Sequence, residues 1–334
     1  MNAHLSGGVP DGRSAPIAPH VVLEVARAYY LDDLSKVEIA KRTGLSRWQV
    51  ARLLAEARES GVVRIQVGDP AVESAEVGAE LVRVLGVDRA VVVPATVTPG
   101  DEPGLDAVTE ALAELLASTV EEGRSVGLTW SRVIERLPRR LRRLAPCQVV
   151  QLAGALTFPG DRLGSVEVVR EVARIAGGTA FPFYAPLVVD DPGAAEALRR
   201  QPEIARCLDR VARLDVAVVS VGYWSEHGSA VYPLVPAALA ERVAAGGGVG
   251  DISGRVFDEH GGPVDAGLDE LVVGITVEQL RAVPRRIATS FGEYRARSTI
   301  AAVRAGLVTE LVVDQPQAEA ILRMSDAGAP ARTR

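Results

Sequence analysis

The sequence is poor in the residues that build disulfides and metal sites. Its 334 residues contain two cysteines, Cys147 and Cys207, which do not form a C-x-x-C pair, and four scattered histidines. These numbers give no support for a disulfide framework, a structural zinc site or a metal-ligand cluster. We therefore predict no metal and no cofactor, and the sparse cysteines fit a reducing cytoplasm.

Long apolar runs are also missing. The chain has no stretch of about 18 apolar residues, the length that crosses a membrane as a helix. Its first 20 residues contain proline, glycine and aspartate where a secretion signal needs an apolar stretch. We expect a cytoplasmic protein with no membrane partner.

Positive charge is in deficit over the whole chain but in surplus in one segment. The net charge is −6, so the protein overall repels polyanions such as nucleic acids. Residues 36–64 nevertheless hold seven lysines and arginines against three glutamates, a net +4 that leaves −10 for the remainder. Any contact with DNA is therefore expected from this segment.

Length and composition predict two folded domains. The 48% of hydrophobic residues and 24% of charged residues are ordinary for globular proteins, and the length favours a small module plus a large one. We predict disordered tails at 1–18 and 325–334, a small helical domain at 19–68, a linker helix at 69–88 and a large domain at 89–324.

The sequence of the large domain predicts an α/β fold. Short β-branched runs such as "RAVVVPA", "DVAVVSVG" and "LVTELVVD" alternate with helical stretches. Strands separated by helices indicate a mainly parallel, Rossmann-like sheet with helices on both faces.

The basic segment, "KVEIAKRTGLSRWQVARLLAEARESG", has the pattern of two short helices around a tight turn. Its apolar side chains share one face: Ile39, Ala40, Leu45, Val50, Leu53 and Leu54. Gly44 suits a turn that needs a positive φ, Ser46 is placed as the N-cap of the second helix, and Gly61 is placed to end it. The alternating "VVRIQV" that follows indicates a wing, so we predict a winged-helix-like helix-turn-helix.

The second of these helices is the predicted recognition helix. Its polar face lies opposite Val50 and Leu53, and it would enter the major groove, where arginine reads guanine and glutamine reads adenine. The predicted DNA-binding residues are Lys41, Arg42, Ser46, Arg47, Trp48, Gln49 and Arg52, with Arg58 as a further phosphate contact. Trp48 either packs on the sugar-phosphate backbone or is partly buried. The alternative for the segment is a helical hairpin with a solvated basic face.

Candidate ligand residues lie where strands of the large domain end. In "RSVGLTWSRVIERL", Gly127, Thr129, Ser131 and Arg132 stand between a strand and a helix, where an anion such as phosphate binds well. A capped helix start without a ligand has the same pattern. Other loops contribute Gln151, Gly154, Gly222, Gly250 and Asp251 to the same edge of the sheet. Asp251 fits either an acceptor for a sugar hydroxyl or an Asx-turn.

An enzyme is the main alternative, because this architecture also supports sugar-phosphate isomerases and transferases. Candidate acids and bases are Asp251, Asp258, Glu259, His260 and Glu293, but none stands in a catalytic signature. We interpret His260 as a turn residue and His227 as part of a surface loop. A dinucleotide fingerprint in "AAGGGVGD" fails, because Asp251 occupies the place of the third glycine.

The chain resembles the SorC-type, DeoR-like family of bacterial sugar-sensing transcriptional regulators. The resemblance runs from about residue 20 to 323 and rests on "EIAKRTGLSRWQVARLLAEARESGVVRIQV", "VGLTW", "VVQLAGAL", "FYAPLVVDD", "VSVGYW", "GGVGDISGRVFDEHG" and "IAAVRAGLVTELVVDQPQA". It implies a helix-turn-helix joined to a sugar-phosphate-isomerase-like effector domain. It also implies dimers or tetramers on double-stranded operator DNA, controlled by a sugar or sugar phosphate.

The resemblance also implies the effector site. It places phosphate near Thr129, Trp130, Ser131 and Arg132 and adds Gln151, Gly154 and Asp251 around the sugar. With Gly127 and Gly222 from the strand ends, and with Gly292 and Arg295 from the segment considered next, these are the predicted effector residues. Two departures stand out: relatives often have glycine where Ser131 stands, and a Gly-Gly pair followed by lysine where this chain reads "SFGEYRARSTIAAVRAG". Gly292 matches the first glycine of that pair, and Arg295 or Arg297 would supply the charge of the lysine. Arginine cannot form a Schiff base.

Overall fold

A computed structural model describes residues 19–32, 34–60, 62–63, 70–94, 104–156 and 162–327. The chain divides into two compact units, 1–68 and 69–334. The predicted tail at 1–18 and residues 64–67 of the predicted wing lie outside the described residues.

The described residues of the first unit form three helices. They are α1 (Pro19–Tyr30), α2 (Lys36–Thr43) and α3 (Arg47–Glu59). Their shared core includes Val25, Ile39, Val50 and Leu53, each fully buried. Gly44 has a φ of 70° between α2 and α3, which confirms the predicted turn. Helix α3 ends at Glu59 with Ser60 as its C-cap, and the predicted terminator Gly61 lies outside the described residues.

The second unit contains ten α-helices and ten strands within its described residues. The helices are α4 (Pro70–Leu85), α5 (Leu105–Thr119), α6 (Arg132–Arg140), α7 (Ser165–Ala176), α8 (Pro192–Arg200), α9 (Pro202–Leu208), α10 (Ala237–Ala245), α11 (Val277–Ala282), α12 (Ala296–Arg304) and α13 (Gln315–Ala327). The strands are β1 (Arg89–Val93), β2 (Ser125–Leu128), β3 (Gln148–Gln151), β4 (Thr179–Phe181), β5 (Val216–Ser220), β6 (Gly222–Tyr223), β7 (Gly250–Ile252), β8 (Arg255–Phe257), β9 (Arg285–Ser290) and β10 (Glu310–Asp314).

Seven of the strands form one sheet in the order β1-β10-β9-β5-β2-β3-β4. All of its neighbouring strands are parallel, which confirms the predicted parallel α/β architecture. Helices α5, α6 and α7 pack on one face of this sheet, and α4, α9, α11, α12 and α13 pack on the other. Strands β6, β7 and β8 form a separate antiparallel sheet beyond the carboxyl end of β5.

The structure moves two of the predicted domain boundaries. The predicted linker helix is part of the α/β unit, because α4 packs on β1 and α13 and its Leu81 is fully buried. The predicted tail at 325–334 begins too early, because α13 continues to Ala327. The Ser325 hydroxyl donates to the Ile321 carbonyl within this last turn, so Ser325 is compatible with the helix. Residues 328–334 lie outside the described residues.

Every helix among the described residues is too short or too polar to cross a membrane.

Candidate nucleic-acid interface and ligand site

Helix α3 begins with a complete capping box. The Gln49 amide N–H donates to Ser46 Oγ at 3.2 Å, and the Ser46 amide N–H donates to Gln49 Oε1 at 2.8 Å. The predicted N-cap is confirmed. The cap holds the Gln49 side chain against the start of α3 through Oε1, and the reading of adenine by Gln49 stays a prediction.

Burial separates the two faces of α3 as predicted. Val50 and Leu53 are fully buried, whereas Arg47, Trp48 and Arg52 are exposed. Trp48 has 70% of its surface exposed, which is incompatible with the partly buried alternative. The predicted phosphate contacts Lys41, Arg42 and Arg58 are exposed as well.

The exposed face of α3 is positively charged and includes one stacked pair. The Arg52 guanidinium lies 5.7 Å from the centroid of the Trp48 ring, one helical turn earlier. Neither Arg47 nor Arg52 forms an ion pair with an acidic side chain in the part of the chain that the structure describes. Their charge is therefore available to an anionic partner such as DNA.

The second unit contains a cavity of about 250 Å³ at the carboxyl ends of β2, β3, β5 and β9. Ligands bind at this edge in open α/β sheets. Seven predicted effector residues line it: Trp130, Ser131, Arg132, Gly154, Gly222, Asp251 and Arg295.

One wall of the cavity carries a row of hydroxyls. Ser131 caps α6, and its Oγ accepts from the Ile134 amide at 3.1 Å. Ser220 at the end of β5 donates to Ser131 Oγ at 2.7 Å and lies 2.5 Å from Thr289 Oγ1 at the end of β9. These groups can exchange hydrogen bonds with a polyhydroxylated ligand.

Three guanidinium groups face the cavity and make it positively charged. The Arg162 side chain donates to the Glu135 carboxylate at 2.8 Å and lies 5.5 Å from the Trp130 ring centroid. Arg295 is only 5% exposed and donates to the Phe291 carbonyl at 2.8 Å. Arg132 lies 5.7 Å from the Phe291 ring centroid. Arginine binds carboxylates and phosphates through two parallel hydrogen bonds, so this set favours an anionic ligand.

Asp251 is the one acidic side chain among the described cavity residues. It is 3% exposed; Oδ2 accepts from the Gly254 amide at 3.0 Å, and Oδ1 has no hydrogen-bond partner among the described residues. Burial raises the pKa of Asp251, and hydrogen bonds from Ser229 and Gly254 lower it. Oδ2 holds the turn, and the role of Oδ1 as an acceptor for a ligand hydroxyl stays a prediction.

Glycine at 222 leaves room for the buried Oδ1 of Asp251. A Cβ added to Gly222 would lie 2.5 Å from that oxygen, too close for any side chain.

Four predicted effector residues lie outside the cavity lining. Gly127 is in the core, where an added Cβ would meet Leu152 at 2.7 Å. Thr129 is 2% exposed, and its hydroxyl donates to the Val218 carbonyl at 3.3 Å.

The other two, Gln151 and Gly292, take part in hydrogen bonds between side chains and the main chain. Gln151 is fully buried; its side-chain amide donates to the Ala153 carbonyl at 2.8 Å and accepts from the Phe183 amide at 3.2 Å. Gly292 has a φ of 85°, and its amide donates to Asp314 Oδ1 at 3.0 Å.

Several cavity residues were not predicted from sequence. They are mainly hydroxyls and one charged group: Arg162, Ser220, Ser229, Ser253, Thr289 and Ser290. The signal for Ser220, Thr289 and Ser290 was readable, since small hydroxyl residues stand at the ends of β5 and β9. The prediction for His227 was incomplete, because this exposed loop residue also lines the cavity.

The candidate acids and bases of an enzyme do not converge. Asp258 and His260 belong to one turn, in which Asp258 Oδ1 accepts from the His260 amide at 2.9 Å, as the turn interpretation of His260 expected. Glu259 pairs with Arg297 at 2.5 Å, and neither residue lines the cavity. Glu293 is also absent from the lining, and of the two arginines proposed to replace the family lysine, only Arg295 reaches the cavity.

Comparison with known proteins identifies the family of the second unit and finds relatives that cover most of the chain. Residues 69–323 match the family described as "Putative sugar-binding domain". The transcriptional regulator YjhU of Escherichia coli is 27% identical over 312 residues, covering 90% of this chain and 94% of that protein. The deoxyribonucleoside regulator of Bacillus subtilis is 27% identical over 320 residues, covering 90% and 96%.

Solved structures share the fold. The full-length sorbitol operon regulator SorC of Klebsiella pneumoniae superposes with a TM-score of 0.69 at 23% identity, covering 91% of this chain and 98% of that one. A domain of a possible sugar-binding transcriptional regulator from Arthrobacter aurescens gives a TM-score of 0.67 at 26% identity, covering 76% and 100%. Since the family match spans most of the chain, the protein belongs to the SorC-type, DeoR-like family that carries this sugar-binding domain.

Proposed function

We propose that the protein is a DNA-binding transcriptional regulator whose binding to operator DNA is controlled by a small anionic sugar derivative. The observation that carries this proposal is the division of α3 into a fully buried apolar face and an exposed face with Arg47, Trp48 and Arg52. A recognition helix needs this arrangement, because its apolar side holds it in the domain while its leading side chains meet base edges.

The cavity supports the effector part of the proposal. The guanidinium groups of Arg132, Arg162 and Arg295 in its lining suit a phosphate or carboxylate, and Oδ1 of Asp251, buried without a hydrogen-bond partner among the described residues, suits a hydroxyl donor. Relatives are named as a deoxyribonucleoside regulator and a sorbitol operon regulator, in line with a sugar-derived effector. Lys36 and Lys41 are the two lysines of the chain, and both precede the second unit, so the effector binds there without a Schiff base.

We further propose a cytoplasmic homo-oligomer, a dimer or tetramer. Paired recognition helices would contact two half-sites about one helical turn apart. An enzymatic role has less support, since Asp251 is the one carboxylate among the described cavity residues and one of its oxygens accepts a hydrogen bond within a turn.

Arg47→Ala is expected to weaken binding to the specific site by about 1 to 3 kcal/mol and to relax base preference there. The reason is that Arg47 stands at the first position of the recognition helix with its side chain exposed. The measurement is selection of a binding site from a random DNA pool by the full chain, followed by titration of each variant on that site and on unrelated DNA.

Arg58→Ala is the matched control, because Arg58 is equally exposed but lies in the last turn of α3. It should weaken specific and nonspecific binding by the same factor. Equal losses on both DNAs for Arg47→Ala would remove Arg47 from base reading, and failure to select any site would refute DNA-sequence recognition.

A further inference from the structure

We propose that Trp48 and Arg52 act as one stacked unit that reads a thymine next to a guanine, with the indole ring of Trp48 contacting the thymine methyl group. This inference rests on the proposed function and specifies how α3 discriminates between sequences.

The structure narrows the set of side chains available for base reading. Gln49 lies between the candidates, but its Oε1 is held by the Ser46 amide at 2.8 Å. Releasing it would open the N-cap and leave a backbone donor of α3 without its partner. Arg47, Trp48 and Arg52 remain as exposed side chains in the first two turns.

Of these three side chains, Trp48 is the one whose exposure to solvent calls for an explanation. A ring that is 70% exposed contributes little to the core of the first unit, and exposed tryptophan tends to mark a contact surface. Its position as the second residue of α3 is among those from which recognition helices contact base edges. The major-groove edge of a base pair offers one apolar group, the thymine methyl, and that group suits an aromatic ring.

Arg52 connects the proposed contact between Trp48 and thymine to the adjacent base pair. Its guanidinium lies 5.7 Å from the Trp48 ring centroid, within the range of a cation–π contact. This contact restricts the rotamers of both side chains before DNA binds, so less entropy is lost on binding. Two side chains in contact reach adjacent base pairs, and the guanidinium fork matches O6 and N7 of guanine.

The test replaces single thymines of the selected site with deoxyuridine, which removes only the methyl group. For the native full chain we expect one thymine beside a guanine, in each half-site if the site is symmetric, at which deoxyuridine lowers affinity about three- to tenfold. Trp48→Ala should bind the thymine and deoxyuridine sites equally, and Trp48→Phe should restore part of the difference.

Leu31→Ala is the matched control, because Leu31 is 72% exposed in the same unit but outside α3. This variant should keep the native sensitivity to deoxyuridine. Circular dichroism checks that each variant remains folded. The proposal is overturned if the native chain tolerates deoxyuridine at every thymine, or if Trp48→Ala keeps the native sensitivity. A native chain that selects no sequence would overturn both this inference and the proposed function, whereas selection without sensitivity to the methyl group overturns this inference alone.

Discussion

Asp251→Asn is expected to make the free protein more stable while weakening effector binding at least tenfold. The native carboxylate is 3% exposed and has one oxygen without a partner, so its charge opposes folding when no ligand is bound. Asparagine keeps the acceptor for the Gly254 amide but removes that charge. Thermal unfolding should show a rise of about 2 to 4 °C for each kcal/mol gained.

The gain in stability should depend on pH. Because burial raises the pKa of Asp251 in the folded state, its contribution to stability is largest below the ordinary carboxyl range and is lost as pH rises through the folded pKa. Asp251→Asn does not lose stability in this way. The difference in stability between the variant and the native protein should therefore be small in acid and increase toward neutral pH.

Asp258→Asn supplies the control for this exchange. Asp258 accepts from two backbone amides in a turn outside the cavity lining, at 2.9 Å from His260 and 2.8 Å from Gly262. Its substitution should bring no gain in stability and leave effector affinity unchanged. Tighter effector binding by Asp251→Asn, measured by calorimetry, would contradict the role given to Oδ1.

Leu53→Asn is expected to abolish DNA binding and leave effector binding intact. Leu53 is fully buried among the helices of the first unit, and an asparagine there loses apolar burial and buries an unpaired amide. The combined cost is about 3 to 5 kcal/mol, a large fraction of the stability of so small a domain. The second unit is compact by itself, so its cavity should be unaffected.

The same exchange at Leu23 provides a matched control for Leu53→Asn. Leu23 lies in α1 with 48% of its surface exposed, so Leu23→Asn should cost little and keep DNA binding. Titration with labelled operator DNA measures both variants, and calorimetry with the effector measures the second unit. Normal DNA binding by Leu53→Asn would show that the packing of α3 is irrelevant to its role.

The two helices and the tight turn of residues 36–59 were predictable because their determinants are local. Gly44, Ser46, Val50 and Leu53 lie within ten residues, and turn, cap and buried face follow from spacing alone. The engagement of Gln49 in the cap was also readable, since Ser-x-x-Gln is a capping-box pattern. The contact of Gln49 with DNA depends on the bound complex and stays a prediction.

The ligand cavity was only partly predictable because it depends on contacts distant in sequence. Ser131, Gly154 and Asp251, predicted from the ends of strands, lie in the cavity lining, and their contact with a ligand stays a prediction. The backbone around Ala153 pairs with Gly274, which encloses Gln151 where a side chain at the sheet edge was expected. Arg162 and His227 reach the cavity from loops whose course depends on tertiary packing, and no local pattern specifies that course.

The coupling between the two units is tested most directly by measuring the affinity of the full chain for its selected DNA site, with and without a panel of pentose and hexose phosphates. The account predicts that at least one compound changes DNA affinity about fivefold or more, and that DNA changes the affinity for this compound by the same factor. It also predicts that Asp251→Asn weakens the response. A compound that binds the cavity by calorimetry while DNA affinity stays constant, or a panel in which no compound binds, would contradict it.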